Sequence, residues 1–187
     1  MGAANWSGAG IDPETGYLYV PSESTNIGVL NIVDTKALGG DLRYIGILKP
    51  NYPPMPHGLP LTKPPYSRMT AVNMNTGDHA WMTPLGNGDR IRNHPMLKDL
   101  HLPPLGGDGR GGPLVTKTLL FSAITTGGSN GGPSLVAFDK ATGKPLASVD
   151  LPGAAIGTPM TYMVDGKQYI ALTVEGNPPE LVAFTLP

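Results

Sequence analysis

The chain has 187 residues, a formal net charge of −1, 14% charged residues and no cysteine. Charge this close to balance gives no electrostatic basis for binding nucleic acid or an anionic membrane, and the lack of cysteine excludes disulfides and thiolate metal sites. With 26 glycines and 21 prolines beside a 40% hydrophobic fraction, the composition describes short apolar runs punctuated by turns, not disorder.

No apolar run approaches the ~18 residues of a membrane-spanning helix. Residues 1–6 lack the basic start and apolar stretch of a signal peptide, so an export signal is expected only upstream of Met1. In chain order, Trp6–Ile11 reads as a strand, Asp12-Pro-Glu-Thr-Gly16 as a turn and Tyr17–Pro21 as the returning strand. An insertion then runs from about 23 to 67, with Pro50, Pro53, Pro54, Pro56, Pro60, Pro64 and Pro65. That proline density predicts an irregular, polyproline-like excursion over one face, without regular strand or helix.

Arg68–Met74 and His79–Thr83 supply two further strands around Thr76-Gly77. A second excursion, Leu85 to Gly112, shows no helical period longer than about two turns. Pro113–Ile124 reads as a hairpin, and Ser134–Asp139 pairs with Leu146–Leu151 around Thr142-Gly143. Thr158–Val164 pairs with Gln168–Val174 around Asp165-Gly166, a strong hairpin signal, and a last strand begins at Leu181.

One plan recurs. Ala71-Val-Asn-Met-Asn-Thr-Gly77-Asp-His-Ala-Trp81 and Ala137-Phe-Asp-Lys-Ala-Thr-Gly143-Lys-Pro-Leu-Ala147 share alanine, Asn/Asp and Thr-Gly at identical offsets. A shortened copy, Leu181-Val-Ala183, places its alanine 46 residues after Ala137, about the length of one propeller blade. The expected fold is all-β, a partial β-propeller of about three blades built from four-stranded antiparallel sheets. Blade 1 spans about 4–84, a linker about 85–110, blade 2 about 111–152 and blade 3 about 156–187. Trp81, on an outer strand after a Thr-Gly turn, is expected to pack between blades 1 and 2. Ala147 at the equivalent position predicts a looser second joint.

Chemistry-bearing residues are few. His57, His79, His94 and His101 show no metal-ligand spacing. Gly106–Gly112 and Gly127–Gly132 lead into no helix and lack the Gly-Lys-Ser/Thr ending of a phosphate loop. Nothing pairs a nucleophile with a base. Asp12, Asp139 and Asp165 fall at turns, where side-chain bonds to the backbone account for them. No catalytic residue and no metal ligand is expected in this chain.

The Ala71–Trp81 repeat resembles the tryptophan-docking motif of pyrroloquinoline-quinone-dependent dehydrogenases, which are eight-bladed propellers. Ala4-Asn-Trp6 with Asp12-Pro-Glu-Thr-Gly-Tyr-Leu-Tyr-Val20 is similar to the family's Ala-Asn-Trp segment and its following hairpin. Gly111-Gly-Pro-Leu-Val-Thr116, Thr158-Pro-Met-Thr-Tyr162 and Val182-Ala-Phe-Thr-Leu-Pro187 resemble its later strands in order, with the glucose dehydrogenase branch nearest.

The resemblance implies that this is the carboxyl-terminal part of an enzyme that oxidises a sugar or alcohol with pyrroloquinoline quinone. It implies electron transfer to ubiquinone or another acceptor, and a place in the periplasm or on a membrane facing it. The remaining blades, calcium ligands and catalytic base are expected upstream, leaving this fragment alone inactive. Asn5, Trp6, Arg110, Gly111 and Gly112 are the cofactor-side candidates. Arg110 reads equally as a partner for a quinone carboxylate or as an exposed loop arginine. Asn177, in Val174-Glu-Gly-Asn-Pro178, stands where the glucose enzymes carry histidine near the substrate, and an amide cannot act as an imidazole base. The reading from another class is a non-catalytic propeller scaffold.

Overall fold

The computed structural model describes residues 4, 7–24, 30–36, 39–48, 55–107 and 111–185. Among them are thirteen strands and a single turn of α-helix. In chain order the strands are β1 (Gly10–Asp12), β2 (Tyr17–Glu23), β3 (Leu30–Asp34), β4 (Tyr44–Leu48), β5 (Ser67–Asn73) and β6 (His79–Pro84). The α-helical turn α1 (Asp89–Arg92) follows, then β7 (Pro113–Val115), β8 (Leu119–Ile124), β9 (Ser134–Asp139), β10 (Pro145–Asp150), β11 (Met160–Val164), β12 (Lys167–Val174) and β13 (Glu180–Thr185). The pairings are antiparallel throughout. They form sheets β1-β2-β5-β6 and β7-β8-β9-β10, a three-stranded sheet β11-β12-β13 and a separate β3-β4 hairpin.

Local turn chemistry explains the two four-stranded sheets. The Asp12, Asn73 and Asp139 carbonyls accept the N–H of Gly16, Gly77 and Gly143 respectively, four residues on. Each of these glycines sits at positive φ, between 70° and 80°, where a side chain would be strained. Each leading Asn or Asp also accepts a nearby backbone N–H through its side chain, from Glu14, Asn75 and Thr142 respectively. One turn design therefore closes three hairpins.

Strand register assigns the faces, because directly opposed residues share a side of the sheet. Tyr19, Ala71, Met69 and Trp81 lie on the face of the first sheet that meets Leu120, Ile124, Val136 and Phe138 of the second, forming one core. Ala123 and Leu135, on the second sheet's other face, join Leu172 and Val174 of the third, with Phe121, Ile170, Val182 and Phe184 packed alongside. The three sheets thus stack face to face in chain order, as blades do. The outward face of the first sheet carries exposed Ile11 and Met82, and that of the third carries exposed Met160, Val164 and Leu181.

The insertion departs from expectation. A regular hairpin, β3-β4, occupies part of it. The reason is where the prolines fall: they run from 50 to 65, while residues 30–48 contain none and are rich in Ile, Leu and Val. A third core joins the insertion to the second excursion, with buried Tyr66, Ile91 and Leu105 against Leu59, Leu97 and Leu102. Tyr66 N–H donates to the Leu105 carbonyl at 2.7 Å, and Gly107 N–H to Ser67 Oγ at 2.9 Å.

Candidate active-site face

In each stacked sheet the chain runs as a meander, so connections alternate between two ends. The turns at 13–16, 74–78, 116–118, 140–144 and 165–166 mark one end. The approaches to β1, β7 and β11, both long excursions and the loops 125–133 and 175–179 belong to the other. At this second end the three first strands converge. β1 lies against β7. A side chain added at Gly10 would stand 2.7 Å from Val115 and 3.3 Å from Pro113.

Gly111 and Gly112 are buried there. A Cβ on Gly111 would collide with the backbone of Ala123 in β8. One on Gly112 would overlap the Thr158 hydroxyl and lie 2.7 Å from the Ser7 carbonyl oxygen and 2.8 Å from Thr158 Cβ. The Thr158 hydroxyl donates to that same Ser7 carbonyl at 3.3 Å. Ser7 belongs to the first blade, Gly112 to the second and Thr158 to the third, so three blades touch at one point. Blade packing alone accounts for both glycines being glycine.

Asn177 sits in the exposed β12–β13 loop at this same end, joined to Pro178 by a cis peptide bond. Asn5, Trp6 and Arg110 lie outside the described residues. Ser129 and Asp150 tie down the glycine-rich 125–133 loop, with Ser129 N–H donating to Asp150 Oδ1 at 2.8 Å. That bonding, with the Ser129 hydroxyl foremost, holds the Asp150 carboxyl below the usual range. A cleft of about 430 Å³ opens between Thr83-Pro84 of β6 and Pro145–Ser148 of β10, the outermost strands, away from the convergence point.

At the opposite end lies a cluster that nothing in the sequence announced. Lys140 Nζ donates to Asp12 Oδ2 at 2.6 Å and to the Thr116 carbonyl at 3.0 Å. Asp12 is 3% exposed and also accepts from Thr15 Oγ1. The Lys140 ammonium, chief among these donors, holds the Asp12 carboxyl below its ordinary value against the opposing effect of burial. The backbone carbonyl of Lys140 accepts from Trp81 Nε1 at 3.0 Å and from the Tyr19 hydroxyl at 3.2 Å. The Trp81 ring covers Gly143, where no Cβ would fit, and Thr83 Oγ1 donates to the Gly143 carbonyl. Trp81 therefore lies between the first and second sheets, as its position in the repeat predicts. Ala147, its equivalent, is exposed.

The fit of a quinone tricarboxylate can be judged from the described residues around the convergence point. The runs 7–9, 111–113 and 157–159 contain Ser, Gly, Ala, Pro and Thr and no carboxylate. An anionic cofactor meets no carboxylate in them, and the close-packed backbone of Gly111 and Gly112 leaves no side chain in its way, so these residues fit. Among the described residues no group of His, Asp and Glu could hold a metal ion.

Stacked antiparallel sheets with first strands converging at a loop-built end define this as part of a β-propeller. Residues 1–170 match the family model for the β-propeller domain of PQQ-dependent glucose, ethanol and alcohol dehydrogenases, and the chain belongs to that family. It is 31% identical over 197 residues to a quinate/shikimate dehydrogenase (quinone) of Acinetobacter baylyi, covering 94% of this chain and 24% of that protein. It is also 31% identical over 141 residues to quinoprotein glucose dehydrogenase A of Acinetobacter calcoaceticus, covering 71% of this chain and 17% of the relative. Among solved structures, the quinohemoprotein alcohol dehydrogenase of Comamonas testosteroni superposes with a TM-score of 0.56 at 24% identity, over 92% of this chain and 22% of that one, a likeness of fold. The chain spans about a quarter or less of the length of these relatives.

Proposed function

We propose that this chain is part of a dehydrogenase that oxidises a sugar or alcohol with pyrroloquinoline quinone, and that its three sheets supply one wall of the cofactor site. The observation that carries this reading is the convergence of Ser7, Gly112 and Thr158, one residue from each blade, at the loop-rich end of a domain of this family. Bound there, the quinone would supply a hydride acceptor, taking a proton with two electrons from the substrate carbon, while the hydroxyl proton would go to the base proposed upstream. The chain's own residues would hold and orient it: Asn5, Trp6 and Arg110 as candidate contacts, the Gly111-Gly112 backbone as the close approach, and Asn177 toward the substrate. A quinone acceptor and a periplasmic setting complete the reading.

Further blades upstream, bearing the base and calcium ligands, are part of the same proposal. Two features support them. Both outward faces of the stack expose apolar side chains, Ile11 and Met82 on one and Met160 and Leu181 on the other. In addition, Gly77 repeats the turn that Gly143 offers to Trp81, yet among the described residues no atom lies within 4 Å of a Cβ added at Gly77. Another blade's indole would fit there as Trp81 fits over Gly143.

Reconstitution tests the reading. Given pyrroloquinoline quinone, calcium and a redox dye, the full polypeptide encoded by the gene is expected to reduce the dye with a sugar or alcohol. The isolated 187-residue chain is expected to give none. Dye reduction by the isolated chain would refute the upstream base. Failure of the full polypeptide to bind the quinone would refute the enzyme and favour a scaffold.

A further inference from the structure

We propose that Thr158 is a positioning residue of the quinone wall: its hydroxyl fixes the first strand of one blade against the first strand of the next. This rests on the function proposed above. The Thr158 hydroxyl donates to the Ser7 carbonyl, three residues before β1, and packs directly on Gly112, the residue before β7. Ser7 and Gly112 therefore share one neighbour from a third blade, and no side chain at Gly112 could stand between them. β1 and β7 are the strands nearest the convergence point, and short ones of three residues each. Ladder bonds to β2 and β8 fix them within their own sheets, but not relative to one another.

Among the described residues, the Thr158–Ser7 bond ties the sheets together at this end and bears on the spacing of the two strands. The inter-blade polar ties at Lys140 and Gly143 belong to the opposite end. A rigid ligand held by groups on two blades depends on that spacing, because misplacement of either group weakens its contact. Thr158 acts through Ser7 and Gly112 and need not touch the quinone.

Two variants of the full polypeptide test this. Thr158→Val keeps the branched shape and removes the hydroxyl; Thr158→Ser keeps the hydroxyl. Pyrroloquinoline quinone is titrated by quenching of tryptophan fluorescence, and amide exchange is followed over 8–12 and 111–115 without quinone. For Thr158→Val, quinone affinity is expected to fall about five- to tenfold, the effect of one net hydrogen bond. Exchange over both segments should quicken with at most a small fall in melting temperature, while Thr158→Ser stays near wild type.

Wild-type affinity in Thr158→Val, or equal weakening in both variants, overturns the assignment. Absence of saturable quinone binding by the wild-type polypeptide instead sinks the proposed function, and the positioning role with it. Faster exchange in Thr158→Val would then mark a tie that is structural only.

Discussion

Trp81→Ala is expected to destabilise the chain by about 3 kcal/mol, near the lower end for truncating a large aromatic because the indole is half-buried. For a chain of this size that corresponds to a fall in melting temperature of about 6–12 °C. Three losses combine. The indole leaves Ala71 and Tyr19, whose ring centroid is 5.8 Å away. The Lys140 carbonyl loses the Nε1 donor, and Gly143 loses the ring that covers it. Trp81→Phe separates these contributions. It keeps a ring over Gly143 and drops the hydrogen bond, so it should cost about 1 kcal/mol more than a change in ring size alone. Thermal melts of the three proteins check this, and equal melting temperatures for wild type and Trp81→Ala would show that the first joint does not depend on the indole.

Lys140→Met should cost roughly 2–3 kcal/mol at neutral pH. It preserves the stem and leaves Asp12 ionised without its cation under a cover that admits 3% exposure. The figure is set below that for a deeply buried pair because Thr15 Oγ1 and the Glu14 N–H still donate to the carboxylate. The bonds from Trp81 and Tyr19 go to the Lys140 backbone carbonyl, so this substitution isolates the ammonium.

The pH dependence has a definite sign. In wild type the Lys140 ammonium, above all, holds the folded-state pKa of Asp12 below the ordinary aspartate value. The pair's contribution is present above that value and is lost as pH falls through the folded one. In Lys140→Met the largest stabilising cause is gone and burial remains. The difference between variant and wild type should therefore shrink on acidification below about pH 4, where a protonated Asp12 needs no cation. Denaturant titrations at pH 7 and pH 3.5 measure it. A gap that stays constant or widens at the lower pH would show that the ion pair is not its source.

What could be read in the sequence follows the range of the interactions concerned. The three Asn/Asp-to-Gly turns were legible because donor, acceptor and the positive-φ glycine all lie within five residues. The Asp165-Gly166 hairpin was legible for the same reason, with φ of 48° and 76° at its two residues. Trp81 was legible from its offset in the repeat. The β3-β4 hairpin is masked in the sequence by the prolines after residue 49, which dominate the composition of a segment whose first part has none.

The Asp12–Lys140 pair spans 128 residues, and the first copy of the turn carries Met74 where the second carries Lys140, so no local pattern signals it. Ser7 and Thr158 carry common surface side chains and acquire meaning only when Gly112 is brought between them. Gly111 and Gly112 are cofactor-side candidates by family pattern alone, and the structure adds the physical reason for their lack of side chains: the backbone of Ala123 and the Thr158–Ser7 contact fill that space.

The end of the stack where Ser7, Gly112 and Thr158 meet is proposed to face the quinone. Amide hydrogen exchange of the full polypeptide with and without pyrroloquinoline quinone tests it most directly. Slower exchange on binding is predicted over 7–12, 111–116 and 158–162, with no change in the opposite turns at 74–78 and 140–144. Unchanged exchange at the three converging segments, or protection confined to those opposite turns, would contradict it.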